Sequence, residues 1–305
     1  MPRLAAIVLG SAAGGGLPQW NCDCPVCRLA RAGGKRVKAR TQASLAVSGN
    51  RKDWILLNAS PDLRTQIEAA PQLHPRKSSK RGRRKSPIAA VVLTGAEIDQ
   101  VAGLLHLRER QPFALFGTQT TLRILRANSI FDALASDTVV RMTVAPKKPF
   151  ELPGGIEAEL FKVPGKAPLY LEGRNPKTGT ETEANIGIEI RAKGARLLFI
   201  PGAAAVTEEI LRRSEKADVL FFDATLYRDS EMIRAKLGTK TGRRMGHMPI
   251  AGRDGSLKAL GNGARRRIYI HINNTNPIAV KGSSERKRVL AAGFEIAEDG
   301  MEILL

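Results

Sequence analysis

All three cysteines of this 305-residue chain lie within one short stretch, as Cys22, Cys24 and Cys27. Three thiolates this close favour a zinc ion over a disulfide, because zinc binds Cys sulfur well and nothing in the sequence indicates secretion. A structural zinc takes four ligands, so one more must come from elsewhere. The candidates are His74, His106, His247, His271, Asn274 or a water molecule. The alternative is that the thiols are reduced and merely buried.

Polar residues follow three apolar segments that have the character of buried strands. Asp99 comes shortly after IAAVVL, Asp223 directly after VLFF, and His271 near the end of RRIYIHI. Ligands and catalytic groups of α/β proteins collect at the carboxyl ends of strands. In the last segment, the two-residue alternation places His271 on the face opposite the isoleucines. The pattern predicts that these three residues meet in a site of the metal-binding type.

A further candidate, His247, follows Gly246 in the segment TGRRMGHMPI. Loops concentrate catalytic residues, and an imidazole in such a loop can act as a general acid or base or as a metal ligand. The alternative is an ordinary surface histidine.

Short apolar runs alternate with amphipathic stretches along the whole chain, which is typical of an α/β protein. Strands are predicted at 5–9, 44–47, 54–57, 88–93, 156–163, 186–190, 196–200, 219–222 and 267–272. Helices are predicted at 61–69, 98–108, 119–127, 206–214, 230–236 and 284–292. Ser60 and Thr207 are the predicted caps of two of these helices, because their hydroxyl oxygens suit free backbone N–H groups.

Length and composition exclude several classes of protein. A chain of 305 residues can form one large domain or two ordinary ones. Its 43% hydrophobic and 26% charged residues are close to the globular average and exclude a disordered chain. No apolar stretch reaches the roughly 18 residues that span a bilayer, and the first residues are too Gly-rich for a signal peptide. We therefore expect a folded, cytoplasmic protein.

The net charge of +20 is partly concentrated in one segment. Seven basic residues lie between positions 76 and 85, in a run that holds no apolar residue. This composition predicts a basic exposed loop over 76–86, with contact to a polyanion as the alternative. We expect no nucleic-acid partner, because no aromatic residue interleaves the run. The charge outside this run is spread along the chain and suits an acidic small molecule.

Five segments carry a resemblance to a known family. They read LGSAAGGGLPQWNCDCPVC, RTQASLAVS, LLNASPDLRTQI, TGRRMGHMPI and HINNTNPI. The chain closely resembles the coenzyme pyrroloquinoline quinone (PQQ) synthesis protein B family, within the metallo-β-lactamase-like superfamily. The resemblance implies one domain over 1–305 with a four-layer αββα fold. It also implies a structural zinc on Cys22, Cys24 and Cys27.

The same resemblance implies a second metal site. The superfamily's H-x-H-x-D-H motif falls on Gly95, Glu97, Asp99 and Gln100, so only Asp99 is retained among its ligands. By similarity, His271 is the terminal histidine ligand, Asp223 the later aspartate and His247 the loop histidine near the reacting group. The implied metal ligands are thus Asp99, His271 and Gln100, with His247 and Asp223 as catalytic residues. By similarity to related phosphodiesterases, Asn274 completes the cysteine site.

The function implied by the resemblance is a step of PQQ biosynthesis. Its expected chemistry is metal- and oxygen-dependent hydroxylation of the tyrosine ring in a cross-linked Glu-Tyr precursor, with iron at the active site. A neutral amide binds such a metal less well than imidazole does, so Gln100 predicts weakened iron affinity. Arg40, Arg64, Arg243 and Arg244 are the candidates for binding the carboxylates of the precursor, with a surface role as the alternative.

Two other functions remain open. A non-catalytic carrier would move PQQ or its precursor towards the periplasm, and the loss of ligands from the motif favours it. A metallo-hydrolase of phosphodiesters would suit the superfamily, but a two-metal site needs more ligands than Gly95, Glu97 and Gln100 supply. The expected partners are the precursor from a Glu-Tyr peptide and other PQQ biosynthesis proteins, with a homodimer as a candidate assembly.

Overall fold

The computed structural model describes residues 4–75, 85–174, 176–261 and 263–305. Most of the predicted basic loop, residues 76–84, lies outside the described residues. Among the described residues, no helix is long and apolar enough to cross a bilayer.

In the described part of the chain, fourteen strands form two sheets of seven. The strands are β1 (Ala5–Gly10), β2 (Ser44–Ser48), β3 (Trp54–Leu57), β4 (Ile88–Val92), β5 (Phe113–Gly117), β6 (Val139–Thr143), β7 (Pro149–Leu152), β8 (Ile156–Gly165), β9 (Thr180–Ala192), β10 (Ala195–Ile200), β11 (Val219–Asp223), β12 (Arg266–Ile270), β13 (Phe294–Ile296) and β14 (Glu302–Leu304). The first sheet has the order β14-β1-β2-β3-β4-β5-β6, and the second has the order β13-β12-β11-β10-β9-β8-β7. Strands β10 to β13 run parallel to one another, so the carboxyl ends of β10, β11 and β12 share one edge.

Eight α-helices and several short 3₁₀ helices connect the described strands. The α-helices are α1 (Pro25–Arg31), α2 (Leu63–Ala69), α3 (Ile98–Val101), α4 (Gln119–Arg126), α5 (Glu208–Glu215), α6 (Glu231–Arg234), α7 (Ser256–Ala259) and α8 (Ser284–Ala291). The 3₁₀ helices are Pro71–Leu73, Ala102–Leu107, Ser129–Ala133, Leu169–Leu171, Arg243–Met245 and Pro277–Ala279.

The alternation of side chains along the strands shows how the layers are stacked. In β3, Ile55 and Leu57 lie in the cluster between the two sheets, whereas Leu56 packs outward with α2 and α4. In β10, Phe199 belongs to the cluster between the sheets and Leu198 to the cluster that includes residues of α1 and α5. Because both faces of each central strand are covered, these strands are near-continuous apolar runs. The layers are helix, sheet, sheet and helix, which confirms the predicted four-layer αββα fold.

Several of the predicted helices differ from expectation at their ends, and local contacts account for two of them. The predicted helix 98–108 is α-helical only to Val101 and then tightens into the 3₁₀ segment Ala102–Leu107. At this point the N–H of Gly103 donates to the backbone oxygen of Ala59 at 2.9 Å instead of to a carbonyl of its own helix. The two segments are packed closely, since a Cβ atom on Gly103 would meet the backbone oxygen of Ser60 at 2.0 Å. Helix α2 starts at Leu63, and the hydroxyl of Ser60 bonds to Gln66 instead of capping it. Thr207 caps α5 as predicted, since its hydroxyl accepts from the N–H of Ile210.

Candidate functional site

The three cysteines converge at the start of α1. Their sulfur atoms all lie within 4.8 Å of one another, and all three side chains are buried and free of disulfides. Cys24 is the N-cap of α1, so its sulfur accepts the backbone N–H of Cys27 at 3.4 Å. The N–H of Cys24 in turn donates to the sulfur of Cys22 at 3.4 Å. Burial raises the pKa of Cys24 to about 12, so the pocket disfavours a bare thiolate there.

The side chain of Asn274 closes this cluster. Its Nδ2 atom lies 3.1 Å from the sulfur of Cys22 and 3.2 Å from that of Cys27. Its Oδ1 atom is buried without a hydrogen-bond partner, an unfavourable state for an amide oxygen. Rotating the amide by half a turn exchanges its oxygen and nitrogen. That rotation aims the oxygen at the three sulfurs and completes the four-ligand shell that zinc prefers, so these residues fit the ion.

The other histidines predicted as a fourth ligand lie elsewhere. His74 is half-buried and contacts the backbone oxygen of Glu68 at 3.1 Å, and His106 is exposed and contacts that of Pro61 at 3.2 Å. His247 and His271 belong to a second cluster. Of the protein candidates, the structure brings only Asn274 to the cysteines.

The second cluster forms at the carboxyl ends of β11 and β12. One ligand-type atom from each of Asp223, His247 and His271 lies within 4.8 Å of the others. Asp223 ends β11 and is fully buried, and its carboxylate accepts the backbone N–H groups of Ala203 and Thr225, both at 2.9 Å. His247 Nδ1 lies 2.7 Å from Asp223 Oδ2. Burial alone would raise the pKa of Asp223, but His247 and His271 hold it well below its ordinary value.

Asp99 reaches the same cluster from the other sheet. It lies on α3, and its Oδ2 atom is 2.9 Å from His271 Nε2. Burial lowers the pKa of His271, but its contacts with Asp223 and Asp99 outweigh this effect and raise the pKa to about 10. A histidine flanked by two carboxylates is thus stable as a cation. A metal ion held by the same carboxylate and imidazole would supply that positive charge instead, so the donor set fits a metal.

The sequence offered no prediction for Thr225, which joins the cluster together. Its hydroxyl oxygen lies 2.6 Å from Asp223 Oδ1, 2.8 Å from His271 Nδ1 and 3.0 Å from His247 Nδ1. When the hydroxyl donates to Asp223, it accepts the Nδ1–H of His271, and this fixes His271 Nε2 as the nitrogen that faces Asp99. The Nδ1–H of His247 donates to the nearer Asp223 Oδ2. The place of Thr225 two residues after Asp223, at a strand end, is the signal that could have revealed it.

Gln100 lies beside the cluster but its amide oxygen is already engaged. Oε1 of Gln100 accepts the backbone N–H of Glu97 at 3.1 Å, as one half of a capping box at the start of α3. A Cβ atom on Gly95 would meet this oxygen at 2.4 Å, so the glycine makes room for the amide. The predicted metal ligand therefore serves as a helix cap, with its oxygen directed back to the α3 backbone.

A cavity of about 530 Å³ opens over this cluster. Asp99, Gln100, Thr225, His247 and His271 all line it. Its apolar wall includes Leu169, Met232, Leu237 and Met245. The cavity is large enough for a small organic molecule and mixes apolar walls with a few polar groups, as ligand sites do.

The four predicted substrate-binding arginines have different positions. Arg40 is buried away from the cavity, where its guanidinium donates to the Ser11 hydroxyl and the Ala297 oxygen and pairs with Glu298 at 3.7 Å. Its charge is thus compensated inside the protein, and it does not line the cavity. Arg64 is exposed on α2 and also does not line it. Arg244 reaches the cavity rim through Glu172 at 3.4 Å, and Arg243 beside it is exposed.

The two clusters share a short stretch of chain after β12. His271 has a left-handed backbone with φ of 61°, and Asn274 follows three residues later. Both backbone polar groups of Ile272, which lies between them, are hydrogen-bonded. Its N–H donates to the Ser11 oxygen and its oxygen accepts the Ala13 N–H, both at 2.9 Å. The loop after β1 that leads to the cysteines therefore also fixes the strand end that carries His271.

Two facing sheets between helix layers, with ligand-type residues at one sheet edge, define a β-lactamase superfamily domain. The model of that family, described as "Beta-lactamase superfamily domain", matches residues 53–272. The coenzyme PQQ synthesis protein B of Methylobacterium nodulans is 52% identical over 303 residues, covering 99% of this chain and 100% of the relative. The chain belongs to the coenzyme PQQ synthesis protein B family, whose place is in PQQ biosynthesis.

Solved structures agree with this assignment. A crystal structure of Zn²⁺-bound PqqB from Methylobacterium extorquens is 50% identical and covers 99% of this chain and 100% of that chain, with a TM-score of 0.96. A diphosphatase of the PhnP family has a TM-score of 0.67 at 20% identity and covers 99% of this chain and 97% of its own, which shows a shared fold.

Proposed function

We propose that this chain hydroxylates the tyrosine ring of a cross-linked Glu-Tyr precursor of PQQ, in a reaction that depends on a metal and on oxygen. The observation that carries the proposal is the pairing of Asp99 Oδ2 with His271 Nε2 at 2.9 Å on the cavity wall. Carboxylate and imidazole are the ligand types of non-haem Fe(II) sites that leave positions open for other groups. Membership of a PQQ biosynthesis family supports the choice of substrate.

Asp99 and His271 would hold the iron, with Asp223 and His247 beside them. The iron, when bound, would supply the activation of dioxygen that carbon hydroxylation requires. Gln100 contributes little to such a site, because its amide oxygen is committed to the N–H of Glu97. A ligand set without this second imidazole predicts weak iron binding.

The remaining residues of the cluster orient and move protons. His247 Nδ1 is engaged with Asp223 and Thr225, so Nε2 is the atom left to take a proton from the phenol of the substrate. Asp223 holds this ring in place and stabilises its protonated form, as buried carboxylates do beside a general base. Thr225 holds His271 in the tautomer that presents Nε2 to Asp99. The apolar wall of the cavity keeps the ring of the substrate away from bulk water.

We also propose that Cys22, Cys24, Cys27 and Asn274 hold a structural zinc. The partnerless oxygen of Asn274 supports this assignment, as does the zinc named for the relative that is 50% identical. Elemental analysis of purified protein should find about one zinc per chain, in the four-ligand site.

The function is tested by mass spectrometry of the precursor. The protein is reconstituted anaerobically with Fe(II), mixed with the cross-linked peptide and a reductant, and then exposed to oxygen. We expect the tyrosine-containing fragment to gain the mass of one oxygen atom for each hydroxylation. The matched Asp99→Asn variant, which keeps the shape of the side chain but loses its charge, should give no gain. Equal gains in both proteins would contradict the assigned site.

A carrier of PQQ or of its precursor is the second candidate function. The observation that favours it is the engaged amide of Gln100, because a site with one ligand lost suits binding without turnover. Tight binding of the precursor together with no gain of mass under iron, reductant and oxygen would support the carrier and overturn the hydroxylase.

A further inference from the structure

Three cations converge on one carboxylate at the rim of the cavity. Lys166 Nζ lies 2.8 Å from Glu172 Oε1, Lys240 Nζ lies 3.7 Å from Glu172 Oε2, and Arg244 Nη1 lies 3.4 Å from the same Oε2. Glu172, Lys166 and Lys240 all line the cavity, and only 8% of the Glu172 side chain is exposed. Lys166 lies between β8 and β9, whereas Lys240 and Arg244 lie between β11 and β12, so the fold rather than the local sequence assembles the three cations.

The cations exceed the carboxylates that face them. Lys166 also pairs with Glu97 at 2.8 Å, and no other described acidic residue pairs with these three cations. The cluster of Lys166, Lys240 and Arg244 with Glu97 and Glu172 therefore has one net positive charge. If Glu172 leaves, the net charge facing the cavity becomes two positive units. Such a cluster, beside partly apolar walls, attracts carboxylates.

Glu172 lies next to a segment whose residues are largely exposed. It follows the 3₁₀ helix Leu169–Leu171, whose three side chains are each between 43% and 57% exposed. The helix is attached to the rest of the protein through polar contacts: the Leu169 N–H donates to Glu97, and the Tyr170 hydroxyl donates to the oxygen of Ala96. Segments with few buried apolar contacts open more easily than core elements do.

We propose that Lys166, Lys240 and Arg244 form an anion subsite of the cavity, and that Glu172 is its internal occupant, displaced when a small molecule with several carboxylates binds. The inference rests on the proposed function, because it assigns a binding position to the carboxylates of the precursor. Glu172 competes with the ligand carboxylate for the same donors. Glu172 thereby lowers the affinity of the cavity for every acidic ligand. It also keeps the three cations paired when no acidic ligand is bound.

The competing interpretation makes Glu172 a pin that holds the segment closed over the cavity. The two interpretations predict opposite signs. If Glu172 is an internal competitor, its removal strengthens the binding of an anion. If Glu172 anchors the segment, its removal disorders the cavity wall and weakens the binding of an anion. A neutral amide in place of the carboxylate is the change that separates them.

The test measures binding by isothermal titration calorimetry with citrate and with PQQ as polycarboxylate probes. If Glu172 fills the subsite for about nine-tenths of the time, Glu172→Gln binds both probes about tenfold more tightly than the parent. Lys240→Gln should bind both about fivefold more weakly, as expected for loss of one partly exposed charge pair. Triethyl citrate, which has the same skeleton without the charges, should bind equally to all variants.

Two control variants match the change in net charge. Glu151→Gln and Lys52→Gln alter exposed residues that do not line the cavity, and each should leave the affinities unchanged. Unchanged or weaker citrate binding by Glu172→Gln would overturn the inference, as would an equal gain in Glu151→Gln. Absence of citrate binding to Glu172→Gln would overturn it too.

Failure of the subsite and failure of the proposed function give different results. Tighter citrate binding by Glu172→Gln, together with no hydroxylation of the precursor, would support the subsite and contradict the hydroxylase function. Hydroxylation would support the hydroxylase function and contradict the subsite if the parent, Glu172→Gln and Lys240→Gln all have the same KM for the precursor.

Discussion

Nε2 of His271 and Oδ2 of Asp99 lie 2.9 Å apart, although 172 positions separate the two residues in the chain. Asp99 comes from the first sheet's side of the molecule and His271 from the end of β12 in the second. The contact therefore exists only when the two sheets are packed together. Any metal held by this pair depends on the interface between the sheets.

Gln100→His should retain more iron than the parent after anaerobic reconstitution, because imidazole binds Fe(II) better than an amide does. The same change removes the hydrogen bond that the Glu97 N–H donates to Gln100 Oε1 and should cost about 1 kcal/mol of stability. Iron per chain is measured by elemental analysis, and stability by urea unfolding. Equal iron occupancy in the two proteins would contradict the prediction.

Thr225→Val should destabilise the protein by about 1–3 kcal/mol, because it leaves the buried Asp223 carboxylate and two imidazoles without their shared hydroxyl. Valine has nearly the same shape, so the change is one of hydrogen bonding. Urea unfolding gives the difference. Thr143→Val, at an exposed threonine of β6, is the matched control and should stay within about 0.5 kcal/mol of the parent.

Asn274→Asp should keep the zinc, since a carboxylate oxygen can replace the amide oxygen, while Asn274→Leu should lose most of it. Because metal binding stabilises the fold that holds it, the leucine variant should also melt at a lower temperature. Zinc is measured by elemental analysis and melting by circular dichroism. Full zinc retention by Asn274→Leu would show that the residue is no ligand.

Protein stripped of metal by a chelator should lose stability as the pH rises from 7 to 10. The pKa of His271 rises from its ordinary 6.5 to about 10 in the fold, so between these values the folded state holds a proton that the unfolded state has lost. This contribution is complete below about pH 6.5 and disappears through pH 10, with a slope of at most about 1.4 kcal/mol per pH unit.

The control for this pH dependence is the metal-free His271→Gln variant. It should show a flatter stability profile over the same range, measured by urea unfolding at each pH. Parallel profiles for the two proteins would mean that His271 does not carry the proton.

Arg40→Met should reduce the free energy of unfolding by about 3 kcal/mol. The buried guanidinium donates hydrogen bonds to the Ser11 hydroxyl and the Ala297 oxygen and forms an ion pair with Glu298, and the variant loses all of these. Since Arg40 does not line the cavity, the KM for the precursor should stay unchanged in the folded fraction. Arg64→Met changes an exposed arginine and should affect neither quantity. A raised KM without loss of stability in Arg40→Met would restore the substrate role expected from the sequence.

Most of the buried strands can be read from the sequence because both of their faces are covered, but β5 is not predicted although it is buried as well. β3, for example, is wholly apolar and β11 is apolar up to Asp223 at its end, and the predicted boundaries at 54–57 and 219–222 match them to within one residue. Strands β6 and β7 are not predicted, because each lies at the edge of its sheet, and three of the five residues of β6 and two of the four of β7 are exposed. β13 and β14 are only three residues long, too short for a periodic pattern.

The convergence of Asp99, Asp223 and His271 was predicted from their places near strand ends, a rule of topology rather than of local sequence. The role of Gln100 was not readable in the same way. Its spacing matched a ligand motif, but the same spacing places it at the N3 position of α3, where its oxygen caps the helix. The cluster around Glu172 left no trace in the sequence, because it depends on the paths of two connections between strands.

The stretch from His271 to Asn274 has a consequence for how the family can vary. The N–H of Ile272 is bonded to Ser11 and its oxygen to Ala13, so the turn cannot accommodate an extra residue without breaking one of these hydrogen bonds. Inserting or deleting a single residue there would shift Asn274 from the sulfurs or His271 from Asp99. Changes in chain length should therefore accumulate in other connections, while this turn keeps its length and the two clusters are inherited together.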